Sequence, residues 1–176
     1  KKKPIEELYD LKSDPHEICN LSNDPNYIQQ LKKMRQAHYK WVRETRDIGL
    51  IPEPEIVKRE SLYGSRYGIL RQKDSPDLIV RLGETAALAS SGKDGLPLLL
   101  IATRDADAAV RYWGVIGIGN IAPKKSVSAL SVTRKLLRDS SPSVRVAASR
   151  ALSRMGKPQE SFPVLKNALT GPDQWA

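Results

Sequence analysis

The pattern of apolar and polar positions changes character along the 176-residue chain. Ile5, Leu8 and Leu11 alternate loosely with polar neighbours, and Tyr9 is amphipathic, which predicts a short strand over residues 6–10. Pro15 and Pro25 break the chain on either side of Ile18 and Leu21, a pair suited to tucking a loop onto a core. Asp24-Pro25 has the form of a helix cap followed by proline in the first turn. The helix it predicts runs from about Pro25 to about Thr45. Tyr27, Ile28, Leu31, Met34, Ala37, His38, Trp41 and Val42 recur at three- and four-residue steps and form one stripe, expected to be buried. Gly49 follows as the stop, and residues 51–55, Ile-Pro-Glu-Pro-Glu, are expected to be an extended connector.

From about Tyr67 the pattern becomes self-similar. Val110, Arg111, Gly114, Gly117, Ile118 and Ile121 stand 34 positions before Val144, Arg145, Ala148, Ala151, Leu152 and Met155. Arg104-Asp105 repeats as Arg138-Asp139, Leu96 as Leu130 and Leu98 as Val132. Two helices per unit, with an Asp-bearing turn before the second, define a helical repeat. A valine followed by small residues four and seven positions later lies on one helix face. There the small side chains let helices approach, while Ile118 and Leu152 fill the space between layers. One pair cannot bury its apolar face, so units must stack. Asp107 and Ser143 fall where second helices begin, in N-cap or first-turn positions. Val80-Arg81 with Ala87-Leu88 forms a weaker, earlier copy that departs at Glu84, where a small residue is expected. A third copy begins at Phe162-Pro163-Val164-Leu165 and reaches Ala168-Leu169. Its second helix would begin near Trp175, so at least one more helix is expected beyond it.

Charge and chemistry alter this picture little. The net charge of +9 is unevenly placed, with +1 in residues 1–60 and +8 in residues 61–176. The basic residues lie between apolar positions, as on solvated helix faces, and an anionic partner is the alternative. Nucleic acid is not favoured, since no stacking platform or reader motif is recognisable. No run of 18 apolar residues encodes a membrane span. The chain has no initiator Met, and Lys1-Lys2-Lys3 is not followed by an apolar segment, as expected of a piece of a longer protein. Gly114, Gly117 and Gly119 are spaced G-x-x-G-x-G with no strand before them, and their counterparts are Ala148, Ala151 and Ser153. They are read as close helix packing and not as a phosphate loop. His16 and His38 have no third ligand in reach of a metal-site spacing.

Two resemblances follow from these residues. Leu8-Tyr9-Asp10-Leu11, Asp14-Pro15, Glu17 and Asn20-Leu21, then a helix carrying Trp41 and an exit Gly49-Leu50-Ile51-Pro52-Glu53, resemble the C-terminal end of sulfatase-family hydrolases across residues 6–53. The resemblance implies a small subdomain in which a short sheet and a helix pack beside a catalytic α/β domain. It also implies that the chemistry lies upstream. The family's nucleophile is a formylglycine made from Cys or Ser in a C/S-x-P-S-R or C/S-x-A-x-R context, assisted by a divalent cation, usually calcium. Cys19-Asn20-Leu21-Ser22-Asn23 has Leu for the Pro or Ala and Asn for the Arg, so Cys19 is read as a small buried residue. No catalytic, cofactor-binding or metal-binding residue is assigned, and calcium is implied only for the upstream domain. The 34-residue units resemble HEAT repeats of the short, PBS-lyase-like kind.

The expected fold is therefore mostly α: a short strand and long helix, then an α-solenoid of HEAT-like pairs. Residues 1–60 are read as the sulfatase-type end with its connector, 61–92 as a degenerate opening repeat, and 93–176 as repeats, the last truncated. The expected function is the non-catalytic C-terminal part of a sulfuric ester hydrolase, exported as the resemblance implies. The repeats would serve as a scaffold or as a surface for protein or an anionic polysaccharide, partnered by the upstream catalytic domain. The alternative is a free-standing helical-repeat module that binds a protein or an anionic polymer.

Overall fold

The computed structural model describes residues 4, 6–73, 77–90 and 92–171, with only the backbone of Lys93. Regular structure among them is entirely helical. The chain divides into two compact units, Lys1–Thr45 and Arg46–Ala176.

In the first unit the expected strand over residues 6–10 does not form. The backbone there is irregular, and its polar groups are met by a side chain instead of a ladder. Asn20 Oδ1 accepts from the Leu8 and Ser22 amides at 3.0 Å each, and Asn20 Nδ2 donates to the Glu6 carbonyl at 3.0 Å. A single backbone bond, Leu21 N–H to Leu8 C=O at 2.8 Å, completes the arrangement. The Asp24 cap holds as expected: its carboxylate accepts from the Asn26 amide at 2.9 Å, and a 3-10 turn over Pro25–Tyr27 leads into α1, Ile28–Thr45. The helix stops where Arg46 adopts φ 57°, so the left-handed residue is an arginine and not Gly49. The stripe of α1 is present but not buried. Leu31 alone is covered, while Ile28, Met34 and Trp41 stand about half exposed. Ile18 is likewise exposed and does not tuck onto a core.

The second unit holds seven helices among the described residues. The expected extended connector is instead the start of α2, Glu53–Tyr63. Its prolines deceive, because Pro52 and Pro54 stand at the N-terminus, where a missing N–H costs nothing. Glu53 and Glu55 lie in its positive first turn. Next come α3, Leu78–Leu88; α4, Leu96–Ala102; and α5, Ala108–Ile121. Then follow α6, Val127–Leu136; α7, Pro142–Arg154; and α8, Pro158–Thr170. Helices α4 with α5 and α6 with α7 are the two repeats, and Asp107 caps α5 by accepting from the Ala109 amide at 2.8 Å. At the matching place α7 is preceded by Ser141, so Ser143 is a first-turn residue. Helix α7 ends in a Schellman turn. Gly156 takes φ 81°, its amide donates to Ser153 C=O at 3.0 Å, and the Lys157 amide reaches Leu152 C=O at 2.9 Å. Helix α8 begins at Pro158, four residues before the expected start, and Phe162 points into solvent. Residues around Trp175 lie outside those described.

One core joins α4 to α7, with Leu88 of α3 packed against it. Leu99, Val115, Ile118, Ala129, Leu136, Val144, Ala147, Ala148, Ala151, Leu152 and Met155 are buried together. The 34-residue offset thus places equivalent residues in one continuous apolar layer. The three glycines of α5 are packing residues. A Cβ on Gly119 would lie 2.9 Å from Ala151 Cα, and one on Gly117 would lie 2.5 Å from Leu99 Cδ2.

Candidate functional site

The Asp-bearing turns between the paired helices carry the densest polar cluster. Asp105 Oδ1 accepts from the Asp107 amide and Asp139 Oδ1 from the Ser141 amide, each at 2.8 Å, so both turns are built alike. An Asp two residues before the N-cap can fold its carboxylate onto the backbone, which favours it in such turns. Arginines then tie one turn to the next. Arg111 sends Nε and Nη2 to the two carboxylate oxygens of Asp139 at 2.8 Å each. Its Nη1 donates to the carbonyls of Asp105 and Ala106 at 3.0 and 2.9 Å. Arg145 repeats this one unit later, with Nη1 on the carbonyls of Asp139 and Ser140 at 2.9 and 3.3 Å. Upstream, Arg81 Nε lies 3.3 Å from Asp105 Oδ2, close enough to pair but outside hydrogen-bond alignment.

Burial raises the Asp139 pKa, but Arg111, the Ser141 amide and Arg145 outweigh it, so the carboxyl titrates below its ordinary value. The Arg111 guanidinium is pushed up, first by its bond to Asp139 and against desolvation, with Asp107 and Glu55 adding to the field.

Helix α2 completes the cluster. Glu55, 5% exposed, accepts from Ser141 Oγ at 2.7 Å, and one turn later Arg59 donates to Asp107 Oδ1 at 2.8 Å. Arg59 also lies 3.7 Å from Glu55. Just before the helix, the Leu50 carbonyl accepts from Trp113 Nε1 at 2.7 Å, and Ile51 and Ile56 are buried. Every carboxylate of this cluster is engaged by a cation, a hydroxyl or an amide. Such an array orients helices; it offers neither a free base nor an activated nucleophile.

The residues weighed for chemistry in the sequence lie elsewhere. Cys19 is exposed and not buried, because its loop is organised by Asp14, whose carboxylate accepts from the Cys19 amide at 2.8 Å. His38 sits on the exposed side of α1, stacked near Trp41. No group of three or more His, Cys, Asp or Glu among the described residues is arranged to hold a metal ion. No helix among them is long and apolar enough to cross a membrane. Glu55 and Arg59 escaped the sequence reading because α2 itself did, although their i, i+4 spacing is visible. Arg111, Arg145, Asp105 and Asp139 were visible as repeat positions.

Stacked helix pairs, a 34-residue register and turn ladders define a helical-repeat body of the HEAT type. Residues 96–176 match the family model described as HEAT repeats. Part of the chain is homologous to sulfatases. It is 40% identical over 57 residues to an ulvan-active sulfatase of Formosa agariphila, covering 32% of this chain and 10% of that protein. It is 49% identical over 56 residues to the human N-sulphoglucosamine sulphohydrolase, covering 32% of this chain and 11% of that protein. The alignments thus span about a tenth of the length of these curated relatives. No solved structure matches.

Proposed function

We propose that residues 6–53 are the C-terminal end of a sulfatase-type hydrolase and that the HEAT repeats are its non-catalytic appendage. The reading joins the sulfatase homology to one structural observation, the uncovered stripe of α1. Among the described residues of the first unit only Leu8 and Leu31 are buried apolar side chains, while Ile18, Ile28, Met34 and Trp41 face solvent. So small a unit buries too little apolar surface to fold alone, and its stripe calls for a larger body to pack on. The catalytic domain of the same polypeptide is that body in this proposal. It would carry the formylglycine and calcium, while α2 and the repeats would extend from its edge as a scaffold or docking surface. The relatives act, as named, on ulvan and on N-sulphoglucosamine; a sulfated saccharide is accordingly the substrate class proposed for the parent enzyme.

The test is hydrolysis of a chromogenic aryl sulfate by two purified proteins. The 176-residue chain is expected to be inactive, and the product of the complete gene to turn over with a requirement for calcium. Turnover by the short chain that disappears in Cys19→Ala would overturn the proposal. So would a complete gene with no formylglycine motif, which would leave a free-standing repeat module.

A further inference from the structure

Helix α2 is attached to the repeats in an unusual balance of forces. Of its eleven residues only Glu55 and Ile56 are buried. Val57, Leu62 and Tyr63 remain exposed. The attachment is thus largely polar, through Glu55 on Ser141 and Arg59 on Asp107. Ser141 and Asp107 are 34 positions apart, the same place in successive units. They differ in the one way that matters for a helix lying across them. The aspartate meets the arginine, and the neutral serine, a donor, meets the glutamate. With aspartate at both places, one end of α2 would face like charge. The turn edge therefore reads the polarity of the helix, as well as its presence.

We propose that this turn edge is a binding surface for a helix bearing Glu and Arg one turn apart. In this reading α2 is its resident and releasable occupant, held in one register by the difference between Asp107 and Ser141. Release uncovers Ile56 on the helix and Ile51 just before it, and it returns charged groups to water. Segments with few buried apolar contacts open most readily. A vacated edge would accept a partner helix of the same charge pattern, independently of the sulfatase reading.

Hydrogen exchange of the whole 176-residue chain tests this with Ser141→Asp. Aspartate is as good an N-cap as serine, so α7 should keep its protection. Residues 53–63, facing like charge at Glu55, should exchange at least about tenfold faster. Adding Glu55→Gln should restore their protection. Unchanged exchange of residues 53–63 in Ser141→Asp, or no recovery in the double variant, would overturn the register. A second arm uses a fluorescent peptide of residues 47–65 and the variant Glu55→Lys/Arg59→Glu, in which the edge is intact but its own helix is repelled. The peptide should bind this variant and fail to bind the wild type at the same concentration. Absence of binding to the variant would overturn the claim that the edge accepts a helix in trans. Should this variant fold poorly, Ser141→Asp with and without Glu55→Gln still decides whether the register exists.

Discussion

Gly119 and Gly83 both lie inside helices, and a methyl group added to each should have opposite consequences. At Gly83 in α3 nothing stands within 4 Å of the added Cβ. Alanine there should gain the propensity difference, about 0.8–1.0 kcal/mol. At Gly119 in α5 the new atom would lie 2.9 Å from both Cα and Cβ of Ala151. Carbon atoms pack best at about 3.5–4.0 Å, so α5 and α7 would have to part by roughly 0.6–1.1 Å. One of these atoms is backbone and the other a Cβ fixed to it, so no rotamer change can move either, and Ile118 and Leu152 beside the crossing are fully buried. Overpacking of this kind costs about 1–3 kcal/mol, offset by the same propensity gain. The difference between the variants cancels propensity and isolates the packing cost, about 1–3 kcal/mol. At roughly 2–4 °C per kcal/mol for a chain of this size, Gly119→Ala should melt about 2–12 °C below Gly83→Ala. Differential scanning calorimetry of the two, side by side, is the assay. Ala151→Gly in the Gly119→Ala background should recover part of the loss, since contacting residues couple. Equal melting temperatures, or a higher one for Gly119→Ala, would refute the claim that these glycines exist for close approach.

Other measurements address other parts of the molecule. Ala151→Leu should cost about 1–3 kcal/mol by denaturant unfolding, whereas Arg154→Leu on the exposed face should stay within about 0.5 kcal/mol; equal losses would contradict the repeat register. Asp139 titrates below its unfolded value of about 3.9, so its contribution is complete above that pH and is lost as pH falls through the lower folded pKa. The melting difference between wild type and Asp139→Asn should therefore shrink below about pH 3.9, and a constant difference from pH 7 to pH 3 would be inconsistent with the Arg111 pair. Of helices α5 to α8, α8 should exchange its amides fastest, because only Ser161 on it is buried while Phe162 and Leu169 are exposed. Protection of α8 equal to that of α5 would show that its open face is covered in solution.

The repeats were legible because their signal is redundant. Each position appears at least twice, so Val110 with Val144 and Ile118 with Leu152 confirm one another, and all four are fully or nearly fully buried. The first unit was less legible, because apolar periodicity reports which face seeks cover without saying where the cover comes from. The α1 stripe has the right spacing and is nevertheless exposed. The residues 6–10 carry strand-like alternation, but Asn20 supplies by side chain what a neighbouring strand would supply by backbone. Helix α2 was hidden by Pro52 and Pro54, which break helices in the interior and favour them at the start. The polar cluster could be read only half-way. Its Arg and Asp positions recur in the sequence, but Glu55 lies 86 residues from Ser141, a pairing that local pattern does not reveal.

The arginine ladder has a consequence for how such a gene can change length. Arg111 reaches forward to Asp139, and Arg145 occupies the same position 34 residues on. A duplication or deletion of 34 codons within this stretch brings an arginine to the same distance from the next aspartate and leaves the joints between units intact. A change of 33 or 35 codons misaligns the ladder and the apolar layer together. Inheritance can thus lengthen or shorten the array in whole units. The exception is the pair of turns beneath α2: one ends in aspartate and the other in serine, so they are not interchangeable, and these two units keep their order while later ones are free to multiply.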